Sequence, residues 1–193
     1  MRYDLHWKCL PMDAIQSHDD WYEPFLGSGL YMLVAATTRG GYVGYYVGKS
    51  DDIGRRWRQH LKSWFLEPHE GYWIPESAEE FLEDPVAAFN CERRKQGLKC
   101  RQDIQAHILK STWFCFAEVD ALRPWHTLEN VEYVLQEGLK KHAEICKKGY
   151  IGDTGRGRPG GELVIDNHFG RAFLGGTLPG TIWFSGATSV EVG

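Results

Sequence analysis

The hydrophobic positions fall into separate groups along the chain. Gly29-Leu-Tyr-Met-Leu-Val-Ala-Ala36 is apolar almost without a break, which predicts a buried strand. Thr37-Thr-Arg-Gly-Gly41 carries paired glycines suited to positive φ, and Tyr42-Val-Gly-Tyr-Tyr-Val-Gly48 returns as a second strand, so 29–48 reads as a β-hairpin. Beyond it the period changes. Ile53, Trp57, Leu61 and Trp64 stand at i, i+4, i+8 and i+11, one stripe of a helix from Asp52 to about Phe65, capped by Ser50 or Asp51.

Pro68, Gly71 and Pro75 mark a loop over 66–75. Ser77 caps a short acidic helix that Pro85 stops, and residues 86–110 read as mostly helical with a break at Gly97. Thr112-Trp-Phe-Cys-Phe-Ala-Glu-Val119 is a third strand, and Thr127 caps a helix from Leu128 to about Lys147. Residues 1–26 read as mixed, with turn chemistry near Ser17 to Asp20. Residues 149–180 hold ten of the 22 glycines, with short extended segments at Glu162–Ile165 and Thr181–Phe184.

The expected fold class is therefore α+β: a small, largely antiparallel three-stranded sheet flanked by helices, with a Gly-rich C-terminal extension. Residues 1–148 form one domain with an N-terminal segment and a helical insert at about 66–110. Residues 149–193 pack on that domain.

Composition narrows the class further. The 193 residues are 42% hydrophobic and 25% charged, as in a globular protein. No apolar run approaches the ~20 residues of a membrane helix, and the N-terminus lacks an apolar signal core. Five scattered cysteines form no CxxC pair, which speaks against a disulfide scaffold and a structural zinc site. These features lead to a cytoplasmic protein as the expectation. The net charge of −4 argues against a uniformly basic nucleic-acid binder. The average hides segregation, however: 67–84 carry seven acids and no Lys or Arg, while 93–101 carry five bases and no acid. A polyanion responds to such local fields.

Gly48-Lys49-Ser50 imitates the end of a phosphate-binding loop. That loop needs a glycine five positions before Gly48, where Val43 stands, so a nucleotide triphosphatase is excluded.

A different motif accounts for the same residues. Gly29-Leu30-Tyr31 on the first strand and Tyr46-Val47-Gly48 on the second resemble the two signature tripeptides of the GIY-YIG nuclease family. Lys49, Ser50, Ile53, Arg56 and His60 follow in the order of that family's strand-to-helix passage. The resemblance is strong over 29–60, moderate over the helix at 127–147, and absent from 1–26 and 149–193. It implies a metal-dependent endonuclease acting on DNA, of restriction, repair or mobile-element type.

By that resemblance Tyr31 is the general base, Tyr46 holds the water or phosphate, and Arg56 binds the scissile phosphate. A guanidinium suits that task because it pairs bidentately and never loses its charge. His60, one turn after Arg56, would bind phosphate or protonate the leaving group. Mg²⁺ or Mn²⁺ would sit on Glu132, or alternatively on Glu129, since a hard cation needs a carboxylate and tolerates water elsewhere. Lys49, Arg55, Arg58, Arg93, Arg94, Arg156 and Arg158 are the expected nucleic-acid contacts. A restriction-like enzyme would act as a homodimer. The family's asparagine after the glutamate helix has no counterpart at 133–166, leaving only Asn167 downstream.

Two other readings compete. One is a non-catalytic nucleic-acid-binding module that retains the fold. The other is a hydrolase or nuclease site built on Asp166-Asn167-His168.

Overall fold

The computed structural model describes residues 1–11, 27–36, 41–57, 110–119, 122, 124–142, 157–186 and 189–193. Among these residues seven strands form a single mixed sheet, curled into a half-barrel. They are β1 (Arg2–Pro11), β2 (Gly29–Ala36), β3 (Tyr42–Ser50), β4 (Thr112–Glu118), β5 (Leu163–Phe169), β6 (Thr181–Phe184) and β7 (Val190–Val192), in the order β3-β2-β4-β1-β5-β6-β7. Only the β1–β5 pair is parallel. Helix α1 (Leu128–His142) covers one face, a helical turn at 53–57 begins on the other, and a short 3₁₀ turn occupies Ala172–Gly176.

This corrects the expectation of a three-stranded sheet flanked by helices. The expected hairpin and third strand are present, with β2 between β3 and β4. Four further strands extend that sheet. β1 arises where no element was expected, and its residues alternate from Arg2 to Cys9: Tyr3, Leu5, Trp7 and Cys9 are buried while Arg2, Asp4, His6 and Lys8 are exposed. Such a period of two is a one-sided strand. The expected extended segments in the Gly-rich region are β5 and β6, so that region is part of the sheet and not an appendage.

Two apolar layers flank the sheet. On one face Leu128, Val131, Val134, Leu135 and Leu139 of α1 press on Leu30, Met32, Val47, Ala117, Leu5, Ile165 and Ile182. Helix and sheet approach closely at Gly138, where a Cβ would lie 2.5 Å from Ile182. On the other face Tyr31, Leu33, Phe114 and Phe116 pack with Ile53 and Trp57, the first two members of the expected helical stripe. Leu61 and Trp64, like the expected helical insert as a whole up to residue 109, lie outside the described residues.

Cys9 and Cys115 face each other across the β1–β4 pair with Cα atoms 4.1 Å apart, and they are disulfide-bonded. The expectation from cysteine spacing, that the chain is no disulfide scaffold, did not point to this single pair. Residues 106 positions apart give no sequence signal of pairing; the antiparallel register brings them together.

Among the described residues no helix is long and apolar enough to cross a membrane.

Candidate functional site

The site is built at the sheet's edge, around β3. Tyr31 on β2 stands opposite Gly48 on β3, and Leu33 stands opposite Tyr46, so both tyrosines occupy one face. A bulge after Leu33 absorbs one extra residue of β3 and keeps the Tyr46-Val47-Gly48 stretch in register. Their rings lie 5.9 Å apart between centroids. Gly48 has a packing role: a Cβ there would lie 2.4 Å from both Cζ and Oη of Tyr31. Only a hydrogen at this position lets the phenol lie across the neighbouring strand.

β3 ends in the cap of the next helix. Asp52, not Ser50 or Asp51, is the capping side chain: its Oδ1 accepts from the Arg55 amide at 2.7 Å. Ser50 Oγ in turn donates to the Asp52 carbonyl and accepts its N–H. This tight entry puts Arg56 in the first turn, where its Nε donates to Tyr31 Oη at 2.9 Å. Arg55 points into solvent.

Tyr31 is fully buried. Burial pushes its phenol pKa well above the ordinary value. The field of Tyr46 adds to the rise, and the hydrogen bond from Arg56 opposes it. The same bond, more than anything else, holds the Arg56 guanidinium firmly cationic.

The carboxylates approach from the opposite side of β3. α1 is tied to that strand by buried Gln136, whose Nε2 donates to the Val47 carbonyl at 3.4 Å. One turn earlier Glu132 is half-buried. Burial raises its pKa first of all; Lys49 and Arg56 act to lower it, and Glu129 to raise it. Glu129 is more exposed and pairs with Lys49 at 3.1 Å. Because β3 is the outermost strand, groups from both faces meet around it: Tyr31, Tyr46 and Arg56 from one, Lys49, Glu129 and Glu132 from the other. Gln136 was not anticipated as a contributor, and Gly48 was named only as the last residue of the second tripeptide. An amide on the apolar stripe of an otherwise amphipathic helix was the one available signal for Gln136.

The two carboxylates differ in kind. Glu129 is engaged with Lys49, whereas Glu132 is the one held in lower dielectric beside two cations. Oxygen donors few in number suit a hard divalent ion that keeps most of its water. Among the described residues no group of three or more His, Cys, Asp or Glu side chains is arranged to hold a metal.

Of the expected nucleic-acid contacts, Arg158 is exposed, its guanidinium 5.9 Å from the centroid of the Phe184 ring. His60, Arg58, Arg93, Arg94 and Arg156 lie outside the described residues.

The Asp166-Asn167-His168 reading fails on strand geometry. Alternation sends Asn167 into the core, where its amide accepts from Trp7 Nε1 and donates to the Pro179 carbonyl. Asp166 and His168 take the other face and pair with Arg2 and Asp4. The three do not converge, and Asn167, on β5 with β4 and β1 between it and β2, is not available to the tyrosine site.

Searches against protein-family models, curated proteins and solved structures give no match for this chain.

Proposed function

We propose that this protein is a metal-dependent endonuclease that hydrolyses phosphodiester bonds in DNA at the Tyr31–Tyr46–Arg56–Glu132 cluster. The observation that carries the reading is the meeting of two phenols, a guanidinium and a half-buried carboxylate around one sheet edge. These groups come from four parts of the chain: β2, β3, the turn at 53–57 and α1.

Each group has a task that fits its surroundings. Arg56 is a permanent cation held in place by Tyr31, and a guanidinium is suited to pair with two phosphate oxygens. Charge that develops on phosphorus-bound oxygens is then met by a donor fixed before reaction, the arrangement that lowers barriers most. Tyr31 orients Arg56. Its burial opposes loss of the phenol proton, so Tyr31 is not assigned the base. Tyr46, partly buried beside Tyr31, is the phenol assigned to position the attacking water. Glu132, with Glu129 nearby, would hold Mg²⁺ or Mn²⁺. When bound, that ion supplies a Lewis acid and lowers the pKa of its water.

The test is cleavage of supercoiled plasmid DNA with Mg²⁺, with EDTA, and with Arg56→Ala. Cutting that needs the metal and falls by about 10²–10³ or more in the variant is expected. Retention of DNA in a gel shift without cutting under any divalent cation would replace this reading with the non-catalytic binding module. Neither cutting nor binding would end both.

A further inference from the structure

Helix α1 meets β3 along a row of polar residues. Glu129, Glu132 and Gln136 stand at i, i+3 and i+7, so they share one stripe of the helix. Two contacts fix that stripe on the strand. Glu129 pairs with Lys49 at 3.1 Å, and Gln136 Nε2 donates to the Val47 carbonyl at 3.4 Å. Half-buried Glu132 stands on the stripe between these two ties.

Gln136 is the odd member of the row. It is 3% exposed, and its helix neighbours Val134, Leu135 and Leu139 are apolar and wholly buried. An apolar side chain would suit such a position better, because a buried amide has an acceptor to satisfy as well as donors. The Val47 carbonyl can meet only the NH₂ end, which fixes the orientation of the amide. Oε1 is the other end, and among the described residues no group donates to it. Side chains of a helix lean toward its N-terminus, so this amide lies over the turn that carries Glu132.

We propose that Gln136 is a positioning residue for the divalent cation: Oε1 accepts a hydrogen bond from a water of the ion held on Glu132, while Nε2 locks the amide to β3. This rests on the nuclease reading for the ion. The unsatisfied buried acceptor beside a half-buried carboxylate is the observation that favours an ion here. A hard cation of the Mg²⁺ class takes one or two carboxylates and keeps several waters, and those waters need acceptors. Lys49 already engages Glu129, so Glu132 supplies the charge and Gln136 a neutral oxygen one turn on. A neutral oxygen orders a hydrated ion without burying a further charge. The same amide grips β3 between Tyr46 and Gly48, which couples the ion's helix to the strand of the water-positioning phenol.

The experiment measures Mn²⁺ binding without DNA, from the electron paramagnetic resonance signal of unbound Mn²⁺, with thermal denaturation of the metal-free protein alongside. Gln136→Met keeps the length of the side chain and removes both polar ends. It is expected to weaken Mn²⁺ binding about 10–100-fold, as when a group behind the ligands of a metal is removed. Gln136→Glu adds a third carboxylate to the row and is expected to tighten binding. Glu132→Gln is the reference and should abolish it. A lower Tm in Gln136→Met with unchanged Mn²⁺ affinity would overturn the proposal and leave Gln136 as a tie between helix and strand. Weaker binding in Gln136→Glu would overturn it as well, and this variant decides alone if Gln136→Met does not fold. A wild type that binds no Mn²⁺, or binds it as well in Glu132→Gln, would remove the metal reading itself and the proposal with it.

Discussion

The two halves of the sheet use charge in opposite ways. β2 is buried along nearly its whole length and β4 along most of it, with a helix on one face and the turn at 53–57 on the other. Of the few polar groups there, on or next to the edge strand β3, Lys49 pairs with Glu129, while Arg56 bonds the Tyr31 phenol and Glu132 is half-buried nearby. β1 and β5 are buried on one face only, and on the open face nearly every charge has a close partner: Arg2 with Asp166, Asp4 with His168, Lys8 with Glu118. His6 stacks on His168 at 4.5 Å. Exposed pairs of this kind contribute little to stability. A cluster that shares low dielectric can shift the ionisation of its members and so do chemistry. The candidate site thus lies where charges are few and crowded against apolar neighbours, not where they are many.

The largest effect should come at the joint between the halves. Cys9–Cys115 closes a loop of about a hundred residues, for which the chain-entropy estimate is about 4–5 kcal/mol. Full reduction should therefore lower Tm by roughly 10 °C or more, read by thermal denaturation with and without dithiothreitol. No change would mean that the two halves are held by strand pairing alone.

Next is Gly48→Ala. The added methyl would collide with Tyr31 and force the ring out of place. A loss of about 1–3 kcal/mol is expected, together with loss of cleavage, while Gly160→Ala, where a Cβ meets nothing within 4 Å, should leave both nearly unchanged. Equal effects at the two glycines would remove the packing role assigned to Gly48.

Glu132→Gln separates stability from activity. Burial raises the carboxyl pKa, so the folded state holds this proton to higher pH than the unfolded chain does. Its contribution favours folding at low pH and turns against folding as pH rises through the ordinary glutamate range and on through the raised native value. The neutral amide should then be more stable at pH 7 by about 0.5–1 kcal/mol, as when other functional strain is removed, and inactive. In the wild type at subsaturating Mg²⁺, cleavage should rise with pH, and the rise should shift to lower pH as Mg²⁺ is increased, because cation and proton compete for the carboxylate. A destabilised Glu132→Gln protein would show that the carboxylate is structural.

The smallest effect belongs to the open face. His168→Ala removes its pairing with Asp4 and its stacking on His6, yet should cost under about 1 kcal/mol. Chemical denaturation measures it, and a loss several times larger would blur the contrast between the halves.

Much of the half that holds the candidate site is legible along the chain. The hairpin, the strand at Thr112 and the helix after Thr127 each announce themselves by local pattern, because their apolar residues recur at the period of the element. β1 carries an equally clear signal, since Arg2-Tyr-Asp-Leu-His-Trp-Lys-Cys9 alternates strictly between polar and apolar residues. The extension was harder, since short strands among glycines carry little periodic signal. The three-stranded expectation followed from stopping the count of strands at those with strong local pattern.

By itself, then, the sequence determined which segments are extended or helical, where the chain turns, and which side chains could bear the chemistry. Those properties depend on neighbours within a few positions. Tertiary structure alone decided that seven strands share one sheet, that Cys9 meets Cys115, and that Glu132 is the half-buried carboxylate while Glu129 pairs with Lys49. It also decided that Tyr31 is sealed in behind Gly48 and that Gln136 reaches Val47. Each of these rests on register and burial between residues distant in sequence, and a local pattern holds no record of distance in space.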